Sequence, residues 1–104
     1  HMEKRRIDLL IGVSYEANLA KTKQVLAGVV QKEEKVLPDE PVDIFVSELA
    51  DSAVQMGVRV WVKNEDYWPT RWRLTEEIKN ALDANEISIP YPQMDVTVAM
   101  QSQD

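Results

Sequence analysis

The side chains best suited to acid-base chemistry, or to holding a hard cation, are the adjacent carboxylates Asp39 with Glu40 and Glu76 with Glu77. Either pair would need its oxygens to converge on one proton or ion, yet neighbouring residues diverge on helices and strands alike, so neither spacing builds a site. The loop Ser14-Tyr15-Glu16-Ala17-Asn18 is acidic where acyl-phosphate hydrolysis would need an arginine and an anion-cradling turn. There is no cysteine, which removes thiolate nucleophiles, thiolate metal sites and disulfides, and suits a reducing compartment. The single histidine is His1, and His1-Met2 reads as a remnant of tag removal and cloning. With these groups missing, an enzyme is not expected, and no catalytic, cofactor-binding or metal-binding residue is assigned.

The 104 residues, 44% apolar and 29% charged, suit one domain with one core. Twelve basic against eighteen acidic side chains leave a formal charge of -6, which opposes contact with nucleic acid and anionic lipid. Residues 33–51 hold seven acids against Lys35 alone and read as a solvated rim. The longest apolar run, residues 9–13, is far below the roughly 18 residues that span a bilayer, so a soluble piece without direct membrane contact is expected.

These groups need elements to position them. Ile7, Leu9, Ile11 and Val13 alternate with Arg6, Asp8, Leu10 and Gly12, which predicts a first strand beginning near Arg5. Asn18 is placed to cap a helix reaching about Glu34, with a stripe of Leu19, Leu26, Val29 and Val30 and Val25 on its edge. Residues 42–49 and 53–63 form a hairpin of two strands joined by Ala50-Asp51-Ser52. In the second of these, Met56, Val58, Val60 and Val62 face one way and Gln55, Gly57, Arg59 and Trp61 the other. Asn64 to Asp66 open a second helix that tolerates Pro69 in its first turn, with Trp68, Trp72, Leu74, Ile78, Ala81 and Leu82 as its buried stripe. Asn85 suits the left-handed residue that ends this helix, and residues 87–89 give a short fourth strand.

The order strand, helix, strand, strand, helix, strand is an α+β, ferredoxin-like βαββαβ sandwich, an antiparallel sheet with two helices on one face. An RNA-binding sheet of this kind needs stacking aromatics on the outer face of its first and third strands, and Trp61 alone lies there. Leu10 and Trp61 on that face are either isolated exposed apolar residues, as all surfaces carry, or contacts for a neighbouring subunit or segment. Trp68 and Trp72 read as helix core and rim.

The sandwich, residues 4–90, is complete at Pro90, after a remnant or linker at residues 1–3. Residues 91–104 remain. The stretch "EISIPYPQMDVTVAMQ" carries Pro90, Tyr91 and Pro92, which restrict themselves and the residues before them, then Gln93, then a strand alternating Met94, Val96, Val98 and Met100 with smaller or polar residues. A lone strand leaves its backbone groups unpaired, and the rigid hinge directs it away from its own sheet, so its expected partners are sister chains. Tyr91, held between prolines, is an anchor for the hinge or a subunit contact, or else packs locally.

Three stretches, "IGVSYEANL" at residues 11–19, "VRVWV" at 58–62 and "WRLTEEIKNALDANEISIPYPQMDV" at 72–96, resemble the cytoplasmic carboxy-terminal domain of the small-conductance mechanosensitive (MscS-like) ion channels. The last stretch, with its Ile-x-Ile-Pro-Tyr-Pro-Gln run, is the most specific. The resemblance implies a homo-heptamer whose carboxy-terminal domains form the lower part of a hollow cytoplasmic cage under a pore that releases solutes under hypoosmotic tension. It implies that the strand at residues 94–101 joins its copies in a parallel β-barrel, which removes sheet edges. The partners implied are the chain itself and upstream transmembrane and middle β-domains, in the cytoplasmic portion of an inner (plasma) membrane protein. The alternative is a free-standing ferredoxin-like regulatory or small-ligand-binding domain, dimeric through sheet edges.

Overall fold

In a computed structural model, which describes residues 3–90, the period-two pattern resolves into three antiparallel strands. They are β1 (Lys4–Val13), β2 (Asp43–Leu49) and β3 (Val54–Lys63), in the order β1-β3-β2. Ile7 pairs with Val60, Leu9 with Val58 and Ile44 with Val58, so the branched apolar side chains of all three strands share one face. The β2 register shifts between Val46 and Glu48. Helices α1 (Leu19–Lys32) and α2 (Tyr67–Ala84) cover that face, and Leu26, Val29, Val30, Leu74, Ile78 and Leu82 close the core against Ile7, Val13, Met56, Val58, Val60 and Val62. This is the expected α+β arrangement.

Asn18 caps α1 as the sequence predicts, its side-chain oxygen accepting from the Lys21 amide at 3.0 Å. The helix ends at Lys32, two residues before the expected Glu34, because Glu33 is extended and turned inward. Its carboxylate takes two hydrogen bonds from Arg73 on α2, at 2.7 Å each, and one from the Lys35 amide at 3.1 Å. Glu33 is only 7% exposed, so this member of the acidic stretch is a buried link between the helices and not part of a solvated rim.

Three expectations for the second half are corrected. Trp68 and Trp72 are not core: they are 51% and 65% exposed. The buried line of α2 is Thr70, Leu74, Ile78 and Leu82, a run of four-residue steps, and a residue two positions away sits about 200° around the helix. The left-handed residue after α2 is Glu86 (φ 61°), not Asn85 (φ -103°). Glu86 N-H donates to the Asp83 carbonyl at 3.1 Å and Ile87 N-H to the Leu82 carbonyl at 2.9 Å, the paired bonds of a Schellman stop, while the Asn85 side chain donates to the Ala81 carbonyl at 2.8 Å. That stop draws Ile87 into the core beside Leu82. The fourth strand is therefore absent among the described residues, and one bond, Ser14 N-H to the Ser88 carbonyl at 2.9 Å, ties this segment to the end of β1.

The bond to Arg73, ahead of the opposing effect of burial, holds the Glu33 carboxyl below its ordinary pKa. A folded pKa below the unfolded value of about 4.3 means stability present at neutral pH and lost as pH falls through the folded value. Arg73→Met should cost about 1–2 kcal/mol at pH 7, discounted because the guanidinium is half-exposed. Urea midpoints should show the gap to the parent closing below about pH 4; an equal deficit at both pH values would rule out the ion pair as its source.

Candidate assembly surfaces

Alternation along the strands sends a second set of side chains to the face away from the helices. Register aligns them in rows: Arg6 with Trp61, Asp8 with Arg59 and Asp43, and Leu10 with Gly57 and Phe45. Leu10 is 68% exposed, and Trp61 and Phe45 are half-buried. Phe45, which sequence reasoning did not single out, lays its ring across Gly57: a Cβ built there would stand 2.4 Å from Phe45 Cζ. The missed signal was a glycine inside an otherwise uniform strand, which marks a close approach by a neighbour. Arg59 extends over the same ring, 4.9 Å from its centroid, and with Arg6 flanks Asp8 at 3.4 and 3.1 Å. The predicted Leu10 and Trp61 thus share a face that is apolar along one row and charged along the next.

The chain enters the domain at one pole and leaves at the other. At entry, the Asn64 amide donates to the Glu3 carbonyl at 2.9 Å, Lys4 pairs with Glu40, and Arg5 stacks 3.7 Å over the Tyr67 ring. The hydrogen bond that the Lys4 ammonium donates to the Glu40 carboxylate raises the Lys4 pKa. Tyr67 meets Trp68 edge-on with centroids 4.9 Å apart, and Trp68 meets Trp72 at 5.9 Å, an aromatic ladder up the outer side of α2. At exit, Ser14 binds Ser88 and the Tyr15 hydroxyl donates to the Ala50 carbonyl, which gathers the first loop, the hairpin turn and the segment leading to Pro90.

Within a strand, the N-H and C=O of one residue point to the same side and successive residues alternate, so Ser14 and Asp8 present their backbone groups on the same outer edge of β1. Arg71 from α2 donates to the Asp8 carbonyl there at 3.0 Å. A guanidinium seated on an edge strand is an obstacle to further pairing. Pro90 is half-buried, while Tyr91, Pro92, Gln93, Met94, Val96, Val98 and Met100, the rest of the expected hinge and strand, lie outside the described residues.

The carboxylate pairs do not converge. Glu40 is engaged by Lys4, Asp39, Glu76 and Glu77 are exposed, and no cluster of metal-ligating side chains forms among the described residues. No described helix is long and apolar enough to cross a membrane.

Residues 7–89 match the family model described as mechanosensitive ion channel MscS, C-terminal. The chain belongs to the MscS family. It is 48% identical over 93 residues to a small-conductance mechanosensitive channel of Edwardsiella ictaluri, which covers 89% of this chain and 32% of that protein. It is 45% identical to an uncharacterized MscS family protein of Synechocystis, with 89% and 31% covered. The chain therefore spans about a third of these relatives' length. A crystal structure of Helicobacter pylori MscS in a closed state superposes with a TM-score of 0.83 at 35% identity, covering 86% of this chain and 36% of that one. Arabidopsis thaliana MSL1, at 14% identity and a TM-score of 0.73, shares the fold. The unit described here is thus an MscS carboxy-terminal domain.

The Phe45 ring and the bare Gly57 should be coupled. Gly57→Ala is expected to cost about 1 kcal/mol by forcing the ring off the sheet, and to cost nothing or stabilise slightly in a Phe45→Ala background. A double-mutant cycle on denaturant midpoints measures this, and additive effects would dissociate the two residues.

Proposed function

We propose that this chain is the carboxy-terminal cage domain of a homo-heptameric mechanosensitive channel that releases solutes under hypoosmotic membrane tension. In this reading, upstream transmembrane and middle β-domains of the same polypeptide precede the domain, which lies on the cytoplasmic side of the inner (plasma) membrane. The segment Pro90, Tyr91, Pro92 and Gln93 is the hinge, and Met94, Val96, Val98 and Met100 belong to a strand that pairs with its copies in a parallel barrel. Leu10 and Trp61 offer further contacts on the open sheet face.

The observation that carries the assembly role is Arg71 on the Asp8 carbonyl. The segment leading to Pro90 is bonded at Ser88 to the end of β1, and a tail zipping along the outer edge of β1 would have to displace that guanidinium. Pairing with sister tails satisfies the same backbone groups without that loss. The entry and exit poles, separated by the length of β1, on the order of 30 Å, further support a domain connected in series between an upstream unit and an axial barrel.

A version ending at Gln93 should keep the thermal midpoint of the parent while losing its association, read by light scattering at rising concentration. A truncation that lowers the midpoint and leaves association intact would mean that the tail belongs to its own sheet. The acidic edge should bias which ions gather at the cage openings. Of its members, Asp39 and Asp43 are exposed and Glu40 is held by Lys4. Neutralising Asp39 and Asp43 should therefore move the channel's reversal potential toward anion permeation; an unchanged potential would remove the charge bias from the reading.

A further inference from the structure

The aromatic ladder on α2 has no role in the sheet or the core. Trp68 and Trp72 expose half or more of their surface, on the helix face opposite the buried line of Thr70, Leu74 and Ile78. Two such rings in contact are an uncommon surface for a domain with a charge of -6, because tryptophan carries the largest apolar area of any side chain and is concentrated where one body docks on another. The ladder is also not remote from the backbone that enters the domain. Arg5 stacks on Tyr67, Tyr67 abuts Trp68, Trp68 abuts Trp72, and Glu3 is bonded to Asn64, three residues before α2 begins.

We propose that the Trp68–Trp72 face of α2 is a docking surface for the polypeptide of the same chain that immediately precedes Lys4 in the full-length protein. The inference rests on the reading of this chain as the carboxy-terminal third of a longer channel. The Edwardsiella relative extends far beyond the matched 93 residues, and the matched model is the family's carboxy-terminal one, so the bulk of the missing length precedes β1. A chain preceding Lys4 starts against Asn64 and Tyr67, and three or four extended residues, roughly 10–14 Å, reach from there along the ladder. The three anchors at the entry, the Glu3 carbonyl, the Lys4 ion pair and the Arg5 stack, hold residues 3–5 beside the start of α2, where the ladder begins. The interaction surface is therefore intrachain and hydrophobic, and it sets the angle between this domain and the one before it.

The test compares hydroxyl-radical labelling of Trp68 and Trp72, read residue by residue by mass spectrometry, in the 104-residue chain and in the full-length channel. The expected result is labelling reduced roughly five-fold or more in the full-length protein, as a half-exposed ring becomes nearly buried. Position 68 replaced by the photo-crosslinker benzoylphenylalanine (Trp68→benzoylphenylalanine) should then join residues upstream of Lys4 within one subunit, leaving the product at monomer size on a denaturing gel. Equal labelling in both proteins overturns the proposal, and so does a crosslinked dimer, which assigns the face to a sister copy. Either result in a channel that assembles and opens under tension leaves the cage reading intact. A full-length gene without apolar spans upstream of Lys4 instead removes the cage reading itself.

Discussion

The central strand β3 is bonded on both sides and buried along one face, and the other elements take their positions from it. Met56, Val58, Val60 and Val62 stand in one line because the strand repeats every two residues, and a slip of one would exchange that line for Gln55, Gly57, Arg59 and Trp61. Pairing with both β1 and β2 in fixed register extends the choice across the whole sheet. The helices then have one apolar face to cover, and the outer face inherits whatever the alternation leaves over. Both the core and the open sheet face are thus products of one periodicity.

That dependence explains what was legible in the sequence. β1, β3 and the cap at Asn18 could be read because each uses a pattern of its own, a strict alternation or a polar residue ahead of an apolar stripe. The α2 stripe could not be read fully, since Trp68, Trp72, Leu74 and Ile78 are all apolar and hydrophobicity alone does not separate a core line from a docking face. Burial of Glu33 depended on Arg73, forty positions away, and no local pattern announces such a partner. The helix stop moved by one residue because the bonds to Leu82 and Asp83 fix the geometry, whereas the preference of asparagine for left-handed backbone is only a tendency. On the open face Leu10 and Trp61 followed from alternation, and Phe45 needed the cross-strand register to set it over Gly57.

The surfaces left over are of different kinds. The open sheet face mixes an apolar row with charged ones, which suits a contact that excludes water only in part. The α2 ladder is continuous and aromatic. The exit pole is tied by hydrogen bonds to backbone carbonyls, from the Ser14 amide and from the Tyr15 hydroxyl. Each of the three stands at a different position relative to the ends of the chain, and family membership gives those ends a meaning that the isolated fold does not.

The opposite placement of entry and exit has a mechanical consequence. When force is applied between Glu3 and Pro90, β1 is drawn along its own axis against β3, and the ladder bonds, which run perpendicular to the strands, share the load side by side. A hairpin with both ends at one pole would open bond by bond, like a zip. This domain resists in shear, with ten residue pairs strained together, and so behaves as a stiff strut between whatever pulls at its two ends.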